Sequence, residues 1–136
     1  MNNTRFASAL HILTLLADSP GEWLSSEWIA GSLNVNPVVV RKELIVLHEA
    51  GLVQSRKGKN GGSTLAKDPQ KISLAAIYLA VKNSEVLGKR HAQPSPDCPI
   101  GKQINQKLSV LYQDIDQVLL KELETHSVAS FRAEFH

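Results

Sequence analysis

Apolar residues recur at helical spacing from the first turns of the chain. Phe6, Leu10, Leu13 and Ala17, with Ala9 and Leu16 beside them, predict a helix from about Thr4 to Ala17. The stretch DSPG, Asp18 to Gly21, ends it. Ser25 or Ser26 then caps a short second helix carrying Trp28, Ile29 and Leu33. Asn36 is a good N-cap for a third helix. Pro37 suits its first position, where a missing N–H costs nothing. That helix runs to about Ala50, with Val40, Leu44 and Leu47 inward and Gly51 closing it.

The period then changes. LVQSR and STLAK read as two short strands around KGKNGG, a β-hairpin with a basic, glycine-rich tip. DPQKISLAAIYLAV supplies a turn and a helix capped by Ser73. Lys82 to Asp97 is polar, holds two prolines near its end, and reads as a partly mobile loop. From about Pro99 to Leu123 a long helix carries Ile104, Leu108, Leu111, Ile115, Val118 and Leu119, followed by a short last segment. The order helix, helix, helix, hairpin is that of a winged helix-turn-helix, and only a few residues around LNVNP join the second and third helices. The expected fold is mainly α with a small β-hairpin: a winged domain over residues 1–82, a loop over 83–98, and a dimerisation helix with a C-terminal segment over 99–136.

Composition narrows the class. The chain has 136 residues, 43% of them hydrophobic, which suits one globular domain with a real core and an added interaction element. A single cysteine, Cys98, rules out an intramolecular disulfide. With no apolar run long enough to span a bilayer and no charged leader, a reducing cytoplasm is the expected location. The net charge of +2 says little, but its distribution says more. Arg41 to Lys71 holds seven basic residues against three acidic ones; Val110 to His136 holds five acidic against two basic. One half is suited to a polyanion and the other is not.

The basic half can be read residue by residue. Arg56, Lys57, Lys59 and Asn60 lie on the hairpin tip, where a wing touches phosphates or a minor groove and glycines let backbone approach a ligand closely. The alternative is a solvated turn, because Asn-Gly is itself a hairpin signal. A recognition helix reads bases from its early turns, which here carry Asn36, Val38, Val39, Arg41 and Lys42. Arg41 suits guanine, Asn36 a base or a phosphate, and Val38 or Val39 a thymine methyl; Val39 fits the core equally well. Ser25 and Ser26 begin the preceding helix, where backbone N–H groups can meet a phosphate. No HExxH, GxSxG, phosphate-binding glycine loop, carboxylate pair or cysteine–histidine metal spacing is present, so neither an enzyme nor a metal site is expected.

The run from Glu43 to Val81 resembles the signature of the Rrf-type bacterial winged-helix regulators. Leu44, Leu47, Ala50–Val53, Ser55, Gly58, Gly61, Gly62, Leu65, Ala66, Pro69, Ile72, Leu74, Ile77, Ala80 and Val81 carry the match. The resemblance implies a homodimeric DNA-binding transcription factor, usually a repressor. It places the base-reading residues at Asn36, Val38, Val39 and Arg41, and the wing arginine at Lys57. Two departures stand out. Ser63 follows the paired glycines where an aromatic residue is frequent. Cluster-binding members carry three close cysteines, and this chain has only Cys98. Even with His91 or Asp97 as a ligand, one thiolate per subunit is too few for their iron–sulfur cluster, so no cofactor is expected. The sequence is similar to the cluster-less, YwnA-like branch, which shares CPIG at Cys98 to Gly101.

Cys98 precedes Pro99, the expected first residue of the long helix. A helix N-terminus favours a thiolate, so a redox sensor is one reading and a small apolar packing residue the other. The stripe Ile104, Leu108, Leu111, Ile115 and Val118 suits pairing with a second copy, or packing onto its own domain. Pairing would set two recognition helices roughly 34–36 Å apart on a palindromic site in double-stranded DNA. The expected function is therefore a transcriptional regulator that represses as a homodimer and is released by thiol oxidation. The alternatives are control by a small ligand in a pocket between the winged domain and the long helix, or a winged helix used only for protein contact.

Overall fold

In the computed structural model, which describes residues 4–82 and 85–136, the N-terminal stripe becomes α1, Arg5–Asp18. Ala9, Ile12, Leu13 and Leu16 are almost fully buried, and the buried Thr14 hydroxyl donates to the Leu10 carbonyl at 2.7 Å. Helix α2, Ser26–Leu33, starts at Ser25, whose Oγ accepts from the Trp28 N–H at 3.1 Å. Asn34, with φ of 58°, turns the chain, and Asn36 Oδ1 accepts from the Val38 N–H at 2.9 Å to open α3, Pro37–Glu49. Three residues, Asn34 to Asn36, thus separate the two helices of the helix-turn-helix.

Val40, Leu44 and Leu47 of α3 join α1 in the core. Glu43 is also buried. Its carboxylate accepts from Arg5 Nη2 at 3.1 Å, and that hydrogen bond, outweighing the cost of burial, raises the Arg5 pKa further. A charge inside the core is tolerated because it is paired and hydrogen-bonded. Sequence periodicity alone does not reveal this ion pair, since its partners lie 38 positions apart.

Strands β1, Val53–Arg56, and β2, Gly62–Leu65, form an antiparallel hairpin with Val53 opposite Leu65 and Arg56 opposite Gly62. Leu24 adds an isolated bridge to β2: its N–H and carbonyl exchange 2.9 Å hydrogen bonds with Ser63. The wing is thereby tied to the segment before α2. The paired glycines serve this closeness. A Cβ on Gly62 would lie 2.6 Å from the Leu24 carbonyl oxygen, and one on Gly61 would lie 2.1 Å from that of Arg56. At these two positions the missing side chain makes room for the chain's own backbone.

A 3-10 turn, Pro69–Lys71, leads to α4, Leu74–Val81, capped by Ser73. The long helix is α5, Pro99–Glu124, and α6, Val128–Arg132, follows with a reciprocal Ser127–Ser130 capping box. Two units result: residues 4–82 together with Leu123–His136, and residues 85–122. The C-terminal segment, expected to accompany the long helix within 99–136, instead completes the winged unit. The Leu74 N–H donates to the His126 carbonyl, the Val128 N–H donates to the Ile72 carbonyl, and Val128 is fully buried. The expected loop at 83–98 begins with two positions outside the described residues. In the second unit Tyr112 is the one buried residue of α5. The Arg90 guanidinium lies 5.4 Å from its ring centroid, contacts Ser109 and pairs with Glu85 at 2.8 Å.

Candidate nucleic-acid interface

The three consecutive valines of α3 divide sharply. Val40 is fully buried, whereas Val38 and Val39 are 49% and 42% exposed. Val39 therefore belongs to the solvent side rather than the core. Val38, Arg41 and Lys42 follow at three- and four-residue spacing, so they share one face of the helix. Arg41 and Lys42 are both exposed. Arg41 is held: its Nη2 donates to Glu27 Oε2 at 2.6 Å. Asn36 is exposed, but its Oδ1 is committed to the cap, which leaves its amide N–H₂ to reach outward. Ser25 Oγ is likewise engaged as a cap, and Ser26, half-buried, is the first helical residue of α2. At the start of α3 the early N–H groups are committed, since Pro37 has none and Val38 and Val39 donate to Asn36, so the start of α2 is the one suited to an anion.

The wing tip separates its basic residues by task. Arg56 Nε and Nη2 donate to the Asn60 carbonyl at 3.2 and 2.6 Å. Its guanidinium lies 4.4 Å from the Trp23 ring centroid. Arg56 thus braces the turn against the chain before α2. Lys57 and Lys59 are exposed and make no ion pair among the described residues, and Asn60 is exposed beside them. The tip is a braced root carrying two exposed ammonium groups, which suits attraction to phosphates better than base reading. Glu27 and Trp23 had not been singled out from the sequence; only the packing of α2 on α3 and of Leu24 on β2 brings them to these residues.

Cys98 lies immediately before α5 and is exposed. The Gly101 N–H donates to its sulfur at 3.4 Å. Together with the Ile100 N–H, this contact lowers the Cys98 pKa below its usual value. Its thiol is therefore not a packing residue of the core. Farther along α5, Leu111, Ile115 and Val118 are 48%, 37% and 68% exposed, while Ile104 and Leu108 are half-buried. A second apolar surface, absent from the sequence reading, is a groove of about 530 Å³ between α1 and α6, lined by Phe6, Leu10, Leu15, Phe131 and Phe135 among others. Among the described residues no helix is long and apolar enough to cross a membrane.

A family model described as Rrf2, iron-dependent transcriptional regulator, matches residues 2–134. YwnA of Bacillus subtilis, described as a candidate HTH-type transcriptional regulator, is 43% identical over 128 residues, covering 94% of each chain. A crystal structure of a candidate DNA-binding protein aligns with a TM-score of 0.75 and 37% identity, over 93% of this chain and 97% of that one. CymR, the global cysteine regulator of Bacillus subtilis, shares the fold with a TM-score of 0.70 at 20% identity, over 100% of this chain and 98% of CymR. These relatives are regulators, not enzymes. The family description names iron, but the donor set here does not fit a cluster held within one chain. Cys98 is the sole thiol, and among the described residues no three His, Cys, Asp or Glu side chains gather. With a winged helix-turn-helix in its first unit and a family match over nearly its whole length, the chain belongs to the Rrf2 family of transcriptional regulators.

Proposed function

We propose that this regulator binds a palindromic DNA operator as a homodimer, represses transcription there, and is released when Cys98 is oxidised. The observation that carries the reading is the exposed face of α3. Val38, Val39, Arg41 and Lys42 stand in the early turns of a helix whose other face is fully packed, with Lys57 and Lys59 on the adjoining wing. Pairing is supported by the uncovered stripe of Leu111, Ile115 and Val118. Thiol control is supported by an exposed cysteine whose thiolate is favoured by two backbone N–H groups. With one thiol per chain, oxidation yields an intersubunit disulfide, a mixed disulfide or a sulfenic acid.

Selection of duplexes from a random pool tests the DNA reading: the expected product is a palindrome whose half-sites lie about one helical turn apart. Recovery of unrelated sequences with affinity independent of salt would overturn it. Sedimentation of the free protein reads the dimer. A promoter fused to the selected site should rise in activity when the regulator is deleted. Peroxide should release DNA from the wild type and leave Cys98→Ser bound; equal release from both removes the thiol from the mechanism.

A further inference from the structure

We propose that Glu27, on α2, is a specificity-determining residue that acts through Arg41 of the recognition helix. This rests on the DNA-binding reading above. Glu27 sits in the first turn of α2, and its Oε2 accepts from Arg41 Nη2 at 2.6 Å. The two side chains remain 64% and 53% exposed, so the pair adds little to folding and its purpose lies elsewhere. Arginine brings five N–H donors on a rigid fork, and guanine is read only when two of them meet O6 and N7 together. A free Arg41 would sample many rotamers and also settle on phosphates. Held by Glu27, the fork is pre-aimed along the exposed face that carries Val38, with its other donors available.

The charge of Glu27 works in the same direction. A carboxylate beside the recognition helix repels the phosphate backbone of every duplex. That cost is offset only where Arg41 finds its base and stays paired with Glu27 at the same time. Random DNA meets the repulsion without the compensation. Glu27 therefore lowers affinity in general and raises the contrast between operator and other sequences. Acid placement at a helix N-terminus also favours α2 itself, a purely local role that would not touch the choice of sequence.

The test measures affinity for the selected palindrome and for random duplex across a salt series, with wild type, Glu27→Ala, Arg41→Ala and the double variant. Glu27 is exposed, and thermal melting checks that each variant folds. In Glu27→Ala the operator-to-random ratio should fall about tenfold, within the range that one good arginine–guanine pair supplies. Random DNA should bind more tightly, and its log–log salt slope should steepen by about 0.9 as Arg41 gains a phosphate. In the Arg41→Ala background, removing Glu27 should leave the ratio unchanged. A ratio held within about twofold in Glu27→Ala, or a loss equally large without Arg41, overturns the role while leaving DNA binding intact. A wild type that does not discriminate between duplexes overturns the DNA reading itself, and this role with it.

Discussion

Helices α3 and α5 carry apolar stripes of the same period yet meet opposite fates. In α3, Val40 and Leu47 are fully buried and Leu44 nearly so, because α1 and the hairpin root cover them. In α5 only Tyr112 is buried, while Leu111 and Val118 stay open. A periodic stripe therefore says that a face will be covered, not by what. For α3 the cover is the chain's own core, which fixes the helix and leaves its other face exposed. For α5 the cover proposed above is a second copy.

Substitutions on the two stripes should separate them. Leu47→Ala should have the largest effect on folding, about 2–5 kcal/mol in urea unfolding, because it opens a cavity in a packed core. Loss below about 1 kcal/mol would mean that α3 is less firmly seated than its burial implies. Leu111→Asp with Val118→Asp should instead leave the fold of the monomer intact and dissociate the dimer, with operator affinity falling about a hundredfold or more as the two half-sites cease to act together. Unchanged sedimentation would assign the stripe to some other cover. On the open face of α3, Arg41→Ala should cost about 1–3 kcal/mol on the operator and far less on random DNA; equal losses would remove Arg41 from base reading. Smallest, Lys57→Ala with Lys59→Ala should reduce the salt slope by about 0.9 per lysine on any duplex, leaving the preferred sequence unaltered. A change in that sequence would show that the wing reads bases.

Much of this was legible in local patterns. The caps Ser25, Asn36 and Ser73, Pro37 at a helix start and the basic hairpin each act over a few residues, so their chemistry is written in short stretches. The placement of the candidate site was legible to the same extent. The caps put Asn36, Val38, Val39, Arg41 and Lys42 in the early turns of α3, with Val39 left open between that surface and the core, and Lys57 and Lys59 followed from the turn. What stayed hidden depended on distant partners. Nothing near Glu43 tells that Arg5 will neutralise it, nothing near Arg56 announces Trp23, and nothing in Glu27 says that Arg41 is its neighbour.

By itself, then, the sequence determined the elements, their order and the family, because helix periods, caps and turns are short-range matters of sterics and hydrogen bonding. Tertiary structure alone decided the rest. It returned the C-terminal segment to the winged unit through Val128, turned the paired glycines toward the chain's own carbonyls, and set Arg41 and Arg56, each held by a partner, apart from the exposed Lys57 and Lys59. The reason is that burial and ion pairing depend on which surfaces meet in space, and residues far apart in sequence supply each other's environment.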